Sequence, residues 1–123
     1  MKNEYSKMKK ILKGGKERYH SSLAAINAYE EEVNMIFHDA VRPLVNDRII
    51  SDCINALKTY NAVDVAIKTT DTIIQIDAAD HITGIPAREY LRNGQTPQAF
   101  KRSTIKRAYE LALKDVSFQT TDD

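Results

Sequence analysis

Two apolar runs are too short to make helices and too apolar to lie on a surface: Val33, Met35, Ile36 and Phe37, then Ala62-Val63-Asp64-Val65-Ala66-Ile67. Short, near-continuous runs of this kind read as strands covered on both faces, so the fold must supply helices to cover them. Between the two runs, Ile49, Ile50, Cys53, Ile54 and Leu57 recur at the i, i+3, i+4 spacing of an amphipathic helix, with Asn46 or Asp47 placed to cap it and Pro43 closing the loop before it. Strand, helix, strand in this order predicts an α/β fold, a largely parallel sheet with helices on its faces.

The flanking segments extend the pattern. From Ser21, a candidate N-cap, Leu23, Ala24, Ile26, Ala28 and Tyr29 have helical spacing, and three glutamates at 30–32 close the segment against the helix dipole. Ile11-Leu12 before Gly14-Gly15 reads as the end of a short strand entering a turn. Thr72-Ile73-Ile74-Gln75-Ile76 is a third, β-branched strand; Asp77 to Asp80 can turn the chain so that His81-Ile82-Thr83-Gly84-Ile85 pairs back as a β-hairpin arm. Arg88 to Gln98, with Gly94 and Pro97, reads as a polar loop, and Ser103 as the cap of a last helix carrying Ile105, Ala108, Leu111 and Leu113.

A chain of 123 residues has room for one domain. Its 18 basic and 17 acidic residues leave a net charge of +1, despite a local cluster at Lys7, Lys9, Lys10, Lys13 and Lys16. That is no field to gather nucleic acid or anionic lipid, so neither is expected as a partner. Cys53 is the single cysteine, and with His20 and His81 it makes no metal-ligand pattern, so no protein-only metal site is expected. Residues 1–4 lack the apolar stretch expected of a signal peptide, and no window approaches the roughly 18 apolar residues of a membrane span. The expectation is a cytoplasmic protein.

Ligand sites in open α/β sheets lie beyond the carboxyl ends of the strands, which directs attention to three polar clusters. They are Gly14-Gly15-Lys16-Glu17-Arg18-Tyr19-His20-Ser21, His38-Asp39-Ala40-Val41-Arg42-Pro43 and Asn93-Gly94-Gln95-Thr96-Pro97-Gln98-Ala99-Phe100. In this order and at these separations, joined by Asp71-Thr72 and Thr121-Asp122-Asp123, they resemble the sugar-phosphate cytidylyltransferases. This is the family of 2-C-methyl-D-erythritol 4-phosphate cytidylyltransferase and ribitol-5-phosphate cytidylyltransferase, and the likeness covers about residues 10–123. Gly94 before Gln-Thr-Pro-Gln, the segment Ile85-Pro86-Ala87-Arg88 and the lack of tryptophan resemble the ribitol-phosphate branch more.

The resemblance implies an incomplete Rossmann-like nucleotidyltransferase sheet with a hairpin arm. It also implies a reaction in which an acceptor phosphate oxygen attacks the α-phosphorus of CTP and pyrophosphate leaves in line. Such catalysis rests on positioning and charge neutralisation, with Mg²⁺ carried by the CTP phosphates. By the same resemblance Gly15 and Ser21 read the cytosine, Asp39 sits by the nucleotide ribose and the acceptor, and Arg42 holds the acceptor phosphate. Thr72 and Thr96 offer it hydroxyls, Arg88 reaches the partner subunit's site, and the arm builds a homodimer. Plainer roles stay open from the residues alone: a turn and N-cap at Gly15 and Ser21, a cap or an Arg42 pair for Asp39, strand packing for Thr72, solvation for the arginines. His38 reads as a histidine satisfied by backbone and Pro97 as a turn residue, with no catalytic role for either.

The family's Ala-Gly-Gly-x-Gly-x-Arg loop with its lysine, and its Lys-Ile-Thr segment, have no counterpart in these residues. Residues 1–123 therefore look like the middle portion of a cytidylyltransferase domain, acceptor half present and triphosphate half missing. The expected function is formation of a CDP-sugar alcohol from CTP and ribitol 5-phosphate. The alternatives are methylerythritol 4-phosphate as acceptor, or a remnant that only binds or dimerises.

Overall fold

Across residues 6–115, which the computed structural model describes, the apolar runs become strands and the periodic segments become helices. The order is α1 (Arg18–Asn27), β1 (Asn34–Phe37), α2 (Asp47–Ala56), β2 (Ala62–Lys68), β3 (Gln75–Ile76), β4 (Ile82–Gly84), a single 3-10 turn (Arg88–Tyr90), β5 (Arg92–Lys101) and α3 (Arg102–Ala112). The segment with Ile11 and Leu12 forms no strand, and both side chains are exposed.

Caps explain where the helices begin. Asn46 accepts the Ile49 N–H at 3.1 Å, as its position predicts for α2. Helix α1 starts earlier than Ser21, because His20 Nδ1 accepts the Glu17 N–H at 3.1 Å while the Glu17 side chain accepts the His20 N–H. This reciprocal box puts Ser21 inside the helix. Ser103 is likewise not a cap: α3 starts at Arg102, and the Glu32 carboxylate accepts both the Ser103 N–H and its hydroxyl at 3.1 Å. One of the glutamates that oppose the dipole of α1 thus serves the N-terminus of α3. Arg102 returns the favour, donating from Nε to the Ile26 carbonyl at 2.9 Å at the end of α1.

The sheet runs β1-β5-β2, with β5 antiparallel to both neighbours. The predicted parallel sheet and the polar loop at 88–98 are both corrected by this one strand. Strands β1 and β2 do run parallel to each other, but β5 lies between them. Its first residues, Arg92 to Gly94, are exposed, but Pro97, Gln98 and Ala99 are buried at the sheet's centre. Helices lie on both faces of the sheet, as expected, but β2 is not the strand covered on both faces that its apolar run predicts. Among the described residues it is an edge strand, half-buried only at Val63 and Val65 beneath α2 and exposed elsewhere, Ile67 by 56%. Met35, Phe37 and Phe100 pack under α1 and α3 against Ile26, Ile105 and Tyr109, while Ile36, Val63, Val65 and Ala99 pack under α2 against Cys53 and Leu57.

Strands β3 and β4 form the predicted hairpin, shorter than expected, with Thr72 outside it. Its turn is held by Asp77 Oδ1, which accepts the N–H groups of Ala79 at 2.8 Å and His81 at 3.0 Å; Asp80 takes the left-handed backbone at φ 62.

Ile26 and Leu57 are at most 1% exposed, one on each side of the sheet. Replacing either by alanine is expected to cost about 2–5 kcal/mol, read as a lowered denaturation midpoint. A shift of a few tenths would show that these helices do not cover the sheet.

Candidate active site at the end of β1

Strand β1 stops at Phe37 opposite Gln98, and there β5 loses its regular pairing with β2. Asp64 pairs with Gln98 and Ala66 with Gly94, so Gln95, Thr96 and Pro97 together oppose Val65. A bulge of this kind turns side chains out of the ladder. It aims Thr96 and Gln95 at the loop that follows β1. The Asp39 N–H donates to Thr96 Oγ1 at 3.2 Å, the same oxygen lies 3.1 Å from His38 Nδ1, and His38 Nε2 lies 2.7 Å from the Arg42 carbonyl. Arg42 donates from Nη1 to Gln95 Oε1 and from Nε to Asp39 Oδ2 at 3.3 Å, and its N–H reaches the Asp39 carbonyl at 3.0 Å.

Asp39 has a second cation. Arg18, from α1, places Nη2 2.9 Å from Asp39 Oδ1, so one carboxylate lies between two guanidinium groups. Partial desolvation raises the Asp39 carboxyl, but the charge of Arg18, hydrogen bonds from Arg42 and Arg18, and the charge of Arg42 outweigh it, holding the group below its ordinary value.

A cleft of about 320 Å³ lies on the α1 side, lined by Arg18, Ser21, Ser22, His38 and Asp39. Another, of about 360 Å³, lies on the α2 side, lined by His38, Arg42, Leu44, Ile49, Gln95 and Thr96. His38 borders both.

Of the residues singled out from sequence, Asp39, Arg42 and Thr96 come together here. Gly15 and Ser21 also meet, the Gly15 N–H donating to Ser21 Oγ at 3.4 Å, and Ser21 shares the α1-side cleft with Asp39. A Cβ on Gly15 would stand 2.1 Å from that of His20, so the close approach requires glycine. Thr72 is exposed, and Arg88 lines a different cleft, of about 500 Å³, with Lys68, Thr69, Glu89 and Arg92, where it donates to the Thr70 carbonyl at 2.7 Å. Thr121-Asp122-Asp123 lie outside the described residues. Three members of the site were not assigned from sequence. Arg18 could have been found three positions before Ser21 in the same motif, one helical turn away; Gln95 and His38 carry no signal that separates them from surface and core residues.

Residues 3–123 match the family model of 2-C-methyl-D-erythritol 4-phosphate cytidylyltransferase. The chain belongs to this family. It is 49% identical over 114 residues to a bifunctional ribulose 5-phosphate reductase/CDP-ribitol pyrophosphorylase of Haemophilus influenzae, a match covering 89% of this chain and 24% of that protein. It is 41% identical over 126 residues to the 2-C-methyl-D-erythritol 4-phosphate cytidylyltransferase of Thermobifida fusca, covering 97% of this chain and 51% of that one. The crystal structure of the 4-diphosphocytidyl-2C-methyl-D-erythritol synthase of Anaerococcus prevotii superposes with a TM-score of 0.81 at 35% identity, over 89% of this chain and 50% of the other. The fold is therefore the partial Rossmann-like α/β fold of these nucleotidyltransferases, and the chain spans between about a quarter and about half of the length of these relatives.

Among the described residues no three His, Cys, Asp or Glu side chains converge as a metal site, and no helix is long and apolar enough to cross a membrane.

The depressed Asp39 carboxyl fixes a pH dependence. Its stabilisation is fully present above the ordinary carboxylate value of about 3.9 and is lost as pH falls through the lower folded value. Urea melts of the chain and of Asp39→Asn are expected to differ at pH 7, with the parent more stable, and to converge well below pH 4. A gap that widens on acidification would contradict the paired carboxylate.

Proposed function

We propose that this chain forms the acceptor-binding half of a cytidylyltransferase site, joining CTP to a sugar-alcohol phosphate with release of pyrophosphate, and that the acceptor is ribitol 5-phosphate. The observation that carries the reading is the convergence of Arg42 and Thr96 on one cleft beside Asp39, in a chain 49% identical to a protein named as a CDP-ribitol pyrophosphorylase. The family model and the Thermobifida relative support a second acceptor, methylerythritol 4-phosphate.

The chemistry suits these groups. A phosphate monoester is largely dianionic at neutral pH, so the nucleophile is already charged and needs no general base. Asp39, held ionised by two arginines, is a poor proton acceptor there and instead fixes the Arg42 fork at the cleft. Arg42 would then hold the acceptor phosphate through paired N–H donors and Thr96 would contact it, while Gly15 and Ser21 face the cytosine across Asp39. Mg²⁺, carried by the CTP phosphates, would supply charge neutralisation at the triphosphate.

The hairpin supports a homodimer. Ile73, Ile74, Ile76, Ile82 and Ile85 are all at least 41% exposed along an arm that a two-stranded hairpin cannot stabilise by itself. A second copy would cover these side chains and bring Arg88 and Thr72 toward a neighbouring site.

Titration calorimetry of the 123-residue chain with ribitol 5-phosphate is expected to show binding weakened about tenfold or more by Arg42→Ala, with Arg42→Lys also impaired, and cytidine binding unaffected. Equal losses for both ligands would contradict the assignment. Without a glycine-rich triphosphate loop, the same polypeptide assayed alone is expected to make no CDP-ribitol; turnover above an Asp39→Ala control would overturn that. Sedimentation is expected to show a dimer that Ile82→Asp dissociates, and a monomeric parent would exclude the arm as the contact.

A further inference from the structure

Three hydrogen bonds determine which hydrogens His38 and Thr96 carry. The Arg42 carbonyl can only accept, so His38 Nε2, 2.7 Å away, must hold a hydrogen. In the neutral ring Nδ1 is then bare, and the Thr96 hydroxyl, 3.1 Å away, must donate to it. Thr96 Oγ1 also accepts the Asp39 N–H at 3.2 Å. A threonine hydroxyl has one hydrogen, and here it is spent on His38. None remains for an anion in the cleft that Thr96 shares with Arg42. A proton on Nδ1 reverses the bond: the imidazolium donates to Oγ1, and the hydroxyl hydrogen is released toward the cleft.

We propose that His38 is a positioning residue for the acceptor phosphate: protonation of Nδ1 frees the Thr96 hydroxyl to donate to that phosphate, so acceptor binding takes up one proton from solvent. The proposal rests on the assignment of Thr96 to the acceptor. The groups around the ring make the coupling specific. Its own loop brings Asp39, whose charge is matched by Arg18 of α1 and by Arg42. Strand β5 presents the uncharged Gln95 and Thr96, and α2 presents Ile49. A dianionic phosphate entering this cleft adds negative charge beside an imidazole, which favours the imidazolium. When one of its oxygens bonds the α-phosphorus and pyrophosphate departs, the monoester dianion becomes part of a diphosphate linkage bearing one charge fewer on that phosphorus. The field holding the proton weakens, and the proton returns to solvent as the product leaves.

The test uses the full 123-residue chain with ribitol 5-phosphate as probe, read by long-range nitrogen-proton NMR of His38 and by calorimetry in two buffers of different ionisation enthalpy. The free protein at pH 8 is expected to show hydrogen on Nε2 alone, and saturation with the probe to protonate Nδ1. Beyond the probe's own ionisation, binding is expected to take up as much as one proton and to weaken as pH rises, by up to about tenfold per pH unit. His38→Asn, whose amide can donate to Thr96 at the Nδ1 position, is expected to bind without this extra uptake; Thr96→Val is expected to bind weakly at every pH. A free ring with its hydrogen on Nδ1, or Thr96-dependent binding with equal proton uptake in the parent and His38→Asn, would overturn the role of His38 and leave the acceptor assignment standing. Equal binding by the parent and Thr96→Val, or no binding by the parent, would overturn the acceptor assignment and this role with it.

Discussion

The structure depends on an interruption. A central strand pairs with both neighbours only while its backbone donors and acceptors alternate without a break, and Pro97 has no N–H to give. Strand β5 meets this by bulging at Gln95, Thr96 and Pro97 against Val65, just where β1 ends. The side chain of Thr96 then does what the ladder no longer does, accepting the Asp39 N–H at 3.2 Å. The loop after β1 is thus fastened to the sheet by the residue that the broken ladder exposes, and the site lies at that junction because regular pairing cannot extend through it.

The charges follow from the same junction. Asp39 leaves the sheet between the N-terminal turn of α1 and its own loop, so Arg18 and Arg42 both reach it. Each exposed ion pair is worth little alone. Their value here is geometric, since a carboxylate bracketed by two planar cations holds the Arg42 guanidinium beside Gln95, at the edge of the cleft where an anion would enter. A site that handles two polyanions needs cations whose direction is set before the ligands arrive. In the proposed site the carboxylate would supply direction without becoming a base.

Most of the fold was legible where apolar periodicity decides it. The runs around Met35 and Val63, the helix carrying Cys53 and Leu57, and the turn at Asp77 are all local patterns whose physics is complete within a few residues. Strand β5 was not legible, because Arg92, Asn93, Gly94, Gln95, Thr96 and Gln98 look like a loop until neighbours on both sides supply their hydrogen bonds. Missing it turned an antiparallel insertion into a parallel sheet. The helix starts at Arg18 and Arg102 were hidden for a related reason: the cap of α1 runs backwards from His20, and Glu32, which serves α3, lies 71 residues away in the chain. In the site, Asp39, Arg42 and Thr96 were reached through motif resemblance, whereas His38 matters through two ring nitrogens whose partners only the fold reveals.

A crystal structure of the chain with ribitol 5-phosphate tests the central claim, that the junction of β1 with the β5 bulge is an acceptor-phosphate site, most directly. The account predicts a phosphate within hydrogen-bonding distance of the Arg42 guanidinium and the Thr96 hydroxyl. A phosphate that touches neither, lying instead among Lys68, Arg88 and Arg92, would contradict it.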